Sequence, residues 1–220
     1  MAINGIHAIF SEHNVITKTK IMRASFSLLL AVLLFTACKN KQFTQTVKNE
    51  DGTTTTTTVD VAGISENAED ITQKMEDLKK LTPLSLDQLK ALLPEEVNGI
   101  KRSSYNANST MGFSIAEAEY EKDENTDLKL VIYDCAGEAG AGIFGMAYWT
   151  KMNMQSESSD GYVKTVDFNG TKAVETYEKG ANETALTYVV NDRLMVVITG
   201  RNMDNNALRQ VAQNLNLKTL

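Results

Sequence analysis

Between residues 64 and 81 apolar side chains return every three or four positions, at Ile64, Ala68, Ile71, Met75, Leu78 and Leu81. Glu66, Glu69, Lys74, Glu76 and Lys79 fall between them. That spacing predicts an amphipathic helix over 64–81. Beyond Pro83, Ser85 and Gln88 stand in the Ser-x-x-Gln arrangement of a capping box. A second, short helix is predicted to open there, with Pro94 and Gly99 bringing it to an end.

From residue 100 the period shortens to two. Residues 114–121 set Ile115, Ala118 and Tyr120 imperfectly against Glu117, Glu119 and Glu121, 123–127 reads as a turn, and 128–133 is a more apolar strand. Further strands are predicted at 162–168, 172–177, 186–190 and 194–199. Asn169-Gly170 and Asn191-Asp192 are two-residue links, which imply antiparallel hairpins. A helix is predicted over 139–155 and another over 205–215. The order helix, helix, three strands, helix, four strands, helix predicts an α+β fold: an antiparallel sheet of about six to seven strands covered by helices and preceded by two amphipathic helices.

Ahead of these elements the pattern changes twice. Residues 26–35 (FSLLLAVLLF) are apolar apart from Ser27, follow Lys18, Lys20 and Arg23, and precede small Thr36 and Ala37, which is the layout of an export signal. A permanent membrane-spanning helix needs about 20 apolar residues, so this run is too short to be one. After Cys38 comes a polar stretch with an unbroken threonine run over 53–58. It reads as a tether, or as a hairpin of 42–48 against 53–61 about Asn49-Glu50-Asp51-Gly52, since β-branched Thr favours strands. The chain thus divides into a signal at 1–37, with Met22 as an alternative start, a Thr-rich tether or hairpin at 38–62, a helical segment at 63–98 and an α+β domain at 99–220.

Phe35-Thr36-Ala37-Cys38 resembles the lipobox of bacterial lipoproteins, with Phe35 where that family usually carries Leu. The resemblance implies that Cys38 receives diacylglycerol, that the chain is cut before it, and that Cys38 becomes an acylated N-terminus. One acyl chain binds a membrane only marginally, at about 0.8 kcal/mol per buried CH₂, whereas several anchor stably. The expected location is the cell envelope, lipid-anchored at the outer membrane and facing the periplasm. Over 99–220 the element order, with Gly170-Thr171-Lys172-Ala173, the following hairpin and a closing helix near Asp204, resembles the PsbP-like family. That family includes extrinsic photosystem II subunits, and the resemblance implies an α/β/α sandwich.

Composition narrows the chemistry. With 42% hydrophobic and 23% charged residues the chain is ordinary globular material. Cleavage before Cys38 removes three basic residues and one acidic one from totals of 22 and 28, leaving 19 and 27 and a net charge of −8. Such a balance disfavours nucleic acid as a partner. His7 and His13, the only histidines, leave with the signal, and with them go a Ser-His-Asp triad and the usual His-based metal sites. Cys135 becomes the single unmodified thiol, which excludes an intrachain disulfide and reads as a buried structural residue.

Several motifs invite a sharper reading. Gly140-Ala141-Gly142-Ile143-Phe144-Gly145 is a G-x-G-x-x-G between a strand and a helix, with Asp167 downstream. A dinucleotide site needs a parallel βαβ unit, however, and the flanking strands here are expected to be antiparallel, so close helix packing through glycine is favoured. Met146, Met152 and Met154 lack the histidine of a copper site and read as packing residues. Glu117, Glu119 and Glu121 share one strand face and read as a solvated face rather than a calcium site. Tyr148 and Trp149 suggest a half-buried aromatic pair.

No catalytic residue, metal or cofactor is therefore expected. The sequence points to a non-catalytic binding or scaffolding module of the cell envelope, whose partners are the membrane, through its lipid, and an envelope protein. Two alternatives stand beside it. One is a carrier of a small apolar ligand in a cavity lined by residues such as Ile132, Phe144 and Leu194, and the other is a His-independent hydrolase or transferase using carboxylates.

Overall fold

The computed structural model describes residues 42–48, 54–60, 62–110 and 112–217. The proposed signal and Cys38 lie outside the described residues. In chain order the elements are β1 (Gln42–Lys48), β2 (Thr54–Asp60), α1 (Ala62–Lys79), α2 (Leu86–Ala91), β3 (Glu96–Val97), β4 (Ile100–Thr110), β5 (Phe113–Asp123) and β6 (Thr126–Asp134). Then follow α3 (Gly137–Ala147), a 3-10 turn (Tyr148–Lys151), β7 (Met154–Ser158), β8 (Gly161–Phe168), β9 (Thr171–Glu178), β10 (Glu183–Val190), β11 (Leu194–Arg201) and α4 (Asn205–Asn214).

Among the described residues the strands form one antiparallel sheet of 11, in the order β1-β2-β7-β8-β9-β10-β11-β6-β5-β4-β3. It consists of two meanders, β3 to β6 and β7 to β11, joined where Val196 lies opposite Ile132, with the β1–β2 hairpin added along β7. This corrects the expected sheet of six to seven strands preceded by two helices. A hairpin stands before the first helix, because Thr44 pairs with Thr58 and Thr46 with Thr56 across it. The expected helix over 139–155 stops at Ala147, and β7 begins at Met154, where Met154 N donates to Thr165 Oγ1 (3.1 Å).

Register assigns the two sheet faces. Ala116, Ile132, Val196 and Tyr188 are successive cross-strand partners on one face, as are Ala118, Leu130, Ile198 and Leu186. They bury against Leu89, Leu92 and Leu93 around α2 and against Leu208, Val211 and Ala212 of α4. The capping box at α2 is formed: Gln88 N donates to Ser85 Oγ (3.3 Å) and Ser85 N donates to Gln88 Oε1 (2.9 Å). On the opposite face Val189, Tyr133 and Met195 pack with Cys135 and with Ile143, Phe144 and Ala147 of α3, and α1 adds Ile71, Met75 and Leu78.

Gly140 explains how α3 comes so close to the end of β6. A Cβ there would sit 2.6 Å from the carbonyl carbon of Cys135 and 2.8 Å from the oxygen of Asp134, distances that only glycine permits.

Candidate functional site

Val190 pairs with Leu194, so β10 turns into β11 through three residues, Asn191, Asp192 and Arg193, rather than the expected two; Asn191 and Asp192 have φ of 52° and 49°, a left-handed conformation that Asn and Asp tolerate. Two clefts open on this turn. The larger, of about 700 Å³, is walled by Phe168, Asn169 and Thr171 of the β8–β9 hairpin and by Tyr188, Val189 and Val190 of β10. Asn191, Asp192, and Ala212, Gln213, Leu215 and Leu217 at the end of α4 complete it. The smaller, of about 340 Å³, lies between α1 and the same turn, with Lys74, Asp77, Leu78, Leu81 and Arg193 in its walls.

The apolar wall of the larger cleft is ordered by an aromatic pair. The rings of Phe168 and Tyr188 meet edge to face with centroids 5.1 Å apart. Tyr188 is 4% exposed, and burial pushes its hydroxyl pKa far above the usual phenol range. That hydroxyl is buried and finds no hydrogen-bond partner among the described residues. Across the cleft, Asn191 Nδ2 donates to the carbonyl oxygen of Leu217 (3.4 Å), tying the chain after α4 to the turn.

Charge around the turn is balanced by two carboxylates. Lys74 Nζ from α1 and Lys151 Nζ from the 3-10 turn each lie 2.8 Å from a different Asp192 oxygen, and Lys74 Nζ also lies 3.4 Å from Asp70 Oδ2. Burial alone would raise the Asp192 carboxyl, but the hydrogen bonds from Lys151 and Lys74 outweigh it and hold the group below its ordinary value. Deeper in, the fully buried carboxylate of Asp134 accepts four hydrogen bonds. Arg193 Nε (2.7 Å) and Ala136 N (3.1 Å) reach Oδ1, while Arg193 Nη2 (2.9 Å) and Leu84 N (2.7 Å) reach Oδ2. Arg193 Nη2 also donates to the Thr82 carbonyl (3.0 Å). The second buried carboxylate, Glu175 on β9, is held by Arg209 Nε of α4 (2.6 Å) and by Lys164 Nζ of β8 (3.4 Å).

The residues singled out from the sequence do not converge here. Ile132 and Leu194 belong to the α2/α4 core cluster and Phe144 to the α1/α3 cluster, and of the three Leu194 alone reaches one of these clefts, the smaller, so they line no common cavity. The G-x-G-x-x-G lies inside α3 between antiparallel strands. A Cβ on Gly140 would strike backbone and one on Gly145 would lie 3.0 Å from Met75 Sδ, whereas one on Gly142 meets nothing, so two of the three glycines serve packing. Asp167 pairs with Lys172 across the β8–β9 hairpin (2.8 Å).

Cys135 is fully buried, and burial pushes its thiol up to about 12. Met146 is 70% exposed on α3, while Met154 lies in β7. Glu117 and Glu119 face Lys129, with Glu117 Oε1 3.7 Å from its Nζ, and Ser104 Oγ donates to Glu119 Oε2 (3.0 Å). Among the described residues no group of three His, Cys, Asp or Glu could hold a metal ion. Tyr148 and Trp149 fall in the 3-10 turn, and their side chains lie outside the described set.

What sequence reasoning missed is the Tyr188 cleft and the Asp134–Arg193 pair. Arg193 directly follows the recognisable Asn191-Asp192 pair, which was its only signal; its partner lies 59 positions away. Comparison with family models, with curated proteins and with solved structures gives no match for this chain.

Proposed function

We propose that this chain is an extracytoplasmic lipoprotein, anchored to the cell envelope through an acylated Cys38, and that its folded part acts by binding rather than by catalysis. The anchor rests on the lipobox-like Phe35-Thr36-Ala37-Cys38 and the apolar run before it. Only four peptide steps separate Cys38 from Gln42, the first residue of β1. At about 3.5 Å per residue the sheet edge formed by β1 then stands within ~14 Å of the lipidated residue. Among the described residues no helix is long and apolar enough to cross a membrane.

The observation that carries the binding role is the 700 Å³ cleft at the β10–β11 turn, whose rim of neutral amides and hydroxyls surrounds an aromatic and aliphatic wall. The two buried carboxylates support the same reading, because Asp134 and Glu175 are each engaged by cationic partners rather than held free as acids or bases.

Metabolic labelling with palmitate tests the anchor. Label is expected in the wild-type chain and absent from Cys38→Ser, with the variant moving from the membrane to the soluble fraction. Label retained in Cys38→Ser overturns it. Crosslinking in native membranes tests for an envelope protein partner, and native mass spectrometry of gently extracted protein tests for a bound small molecule. Recovery of neither a partner nor a ligand overturns the binding role.

A further inference from the structure

We infer that the free edge of β1 pairs with the β1 of a second copy of this chain, antiparallel about a twofold axis at Gln45, joining two sheets into one. This goes beyond the binding role proposed above, since it names a partner and a surface away from the cleft, and it does not require the acylated anchor.

Open strand edges are templates for further pairing, and proteins ordinarily blunt them with charge, proline, bulges or cover. The β3/β4 end of this sheet is blunted. Glu96 and Val97 of β3 cover the start of β4, and the β4–β5 register shifts between Arg102 and Ser104. β1 has none of these devices. Its seven residues, QFTQTVK, pair with β2 without a shift, include no proline and carry a single charge, Lys48, at the very end. β1 is the last strand in the order, and its side chains from Thr44 to Lys48 are all exposed, so among the described residues no strand covers its outer side.

The sequence of the strand selects the occupant. Antiparallel pairing about Gln45 puts Thr44 opposite Thr46, Gln45 opposite itself and Lys48 opposite Gln42, so no like charges meet within the strand. The threonines then repeat a contact the sheet already makes. Across β1–β2, Thr44 Oγ1 lies 3.1 Å from Thr58 Oγ1 and Thr46 Oγ1 lies 3.3 Å from Thr56 Oγ1. Each hydroxyl has further acceptor capacity to extend that ladder outward. Charge flanking the strand favours the same arrangement. The sequence before β1 carries Lys39 and Lys41, and the sequence after it carries Glu50 and Asp51. Antiparallel pairing brings the basic flank of one copy to the acidic flank of the other, twice over by symmetry, whereas parallel pairing sets like against like. One strand per copy is a small contact, so copies associate where they are crowded and the dilute chain keeps an open edge.

Disulfide crosslinking of the full chain carrying Cys38→Ser tests the inference. Cys135 is fully buried, so an added cysteine is then the only accessible thiol. Gln45→Cys faces its own copy across the axis and should crosslink under mild oxidation. Val47→Cys, equally exposed, falls four residues out of register with its copy, at ~14 Å, which is beyond the reach of a disulfide, and should crosslink at least ~10-fold less. With Gln45→Cys in place, Glu50→Lys/Asp51→Lys should lower the yield by roughly 5-fold, as should Lys39→Glu/Lys41→Glu, and mixing the two variants should restore it. Sedimentation of the Cys38→Ser chain, which needs no change in β1, should show a monomer–dimer equilibrium.

Equal crosslinking at 45 and 47, no crosslinking at 45, no rescue in the mixture, or a monomer at every concentration overturns the inference. None of these results bears on palmitate labelling of the wild-type chain or on recovery of a ligand or envelope partner, so the binding role proposed above stands or falls separately.

Discussion

Replacing Asp134 by Asn changes almost no volume and removes one charge, so it isolates what the buried ion pair does. The carboxylate accepts four N–H groups on two oxygens. In Asn one oxygen remains an acceptor and the other position becomes an NH₂ donor. Whichever way the amide turns, two N–H groups face another donor, and Arg193 is left without its countercharge. Breaking one partner of a buried pair costs about 3–5 kcal/mol. The Arg193 side chain is 21% exposed and so keeps some access to water, which favours the lower end, about 3 kcal/mol. For a folded unit of this size each kcal/mol lowers Tm by about 2–4 °C, giving a fall of roughly 6–12 °C.

Urea unfolding followed by circular dichroism checks the magnitude, with the midpoint falling and the slope unchanged. The double variant Asp134→Leu/Arg193→Met, which replaces the pair by apolar residues, should recover most of the loss. A fall of less than ~1 kcal/mol in Asp134→Asn would refute the reasoning, since it would mean that Arg193 and the two backbone N–H groups are satisfied without the carboxylate.

Three further outcomes follow from the same geometry. Gly140→Ala should cost about 2–3 kcal/mol in thermal unfolding because its Cβ meets backbone, whereas Gly142→Ala, which meets nothing, should stabilise α3 by about 0.5–1 kcal/mol. The Cys135 thiol, buried and raised to about 12, should react with a disulfide reagent such as DTNB only when the protein is unfolded; fast labelling of the folded chain would contradict its burial. The Asp192 carboxyl is lowered in the fold from 3.8, so its contribution is complete above the unfolded value and drains away as pH falls through the folded one. Asp192→Asn should therefore be less stable than wild type near about pH 6 and lose less than wild type on going to about pH 3, and parallel urea midpoints at both pH values would contradict this.

The elements legible in the sequence are those whose pattern is local. The 3-4 spacing of Ile71, Met75 and Leu78 and the Ser85–Gln88 box mark α1 and α2, and Asn169-Gly170 and Asn191-Asp192 mark hairpins whose two strands adjoin in sequence. The strands missed are those whose side chains carry little pattern. The outer part of β4 reads Ser-Ser-Tyr-Asn-Ala-Asn-Ser-Thr and is mostly exposed, so no alternation of apolar and polar residues announces it. β7 follows helix-like Met146 and is held in strand form by β2 and β8, partners that only the folded chain supplies. β1 and β2 are rich in Thr, which suits a strand or a solvated tether equally well until a neighbour pairs with it. The cleft was illegible for a related reason: Phe168 comes from β8, Tyr188 from β10 and Leu217 from the chain after α4, and no spacing along the chain links them.

The position of the β1–β2 hairpin also sets a timetable. During synthesis the N-terminus emerges first, yet the outer edge of β2 is completed only when β7 arrives, long after the hairpin itself. Both meanders are made of sequential strands and can zip locally, whereas this wing closes by a long loop and is marginal when alone. It is then the last part of the sheet to form and the first to open. Hydrogen exchange should find its amides protected least, so that the end of the fold nearest Cys38 behaves as a hinged leaf while the two meanders stay shut.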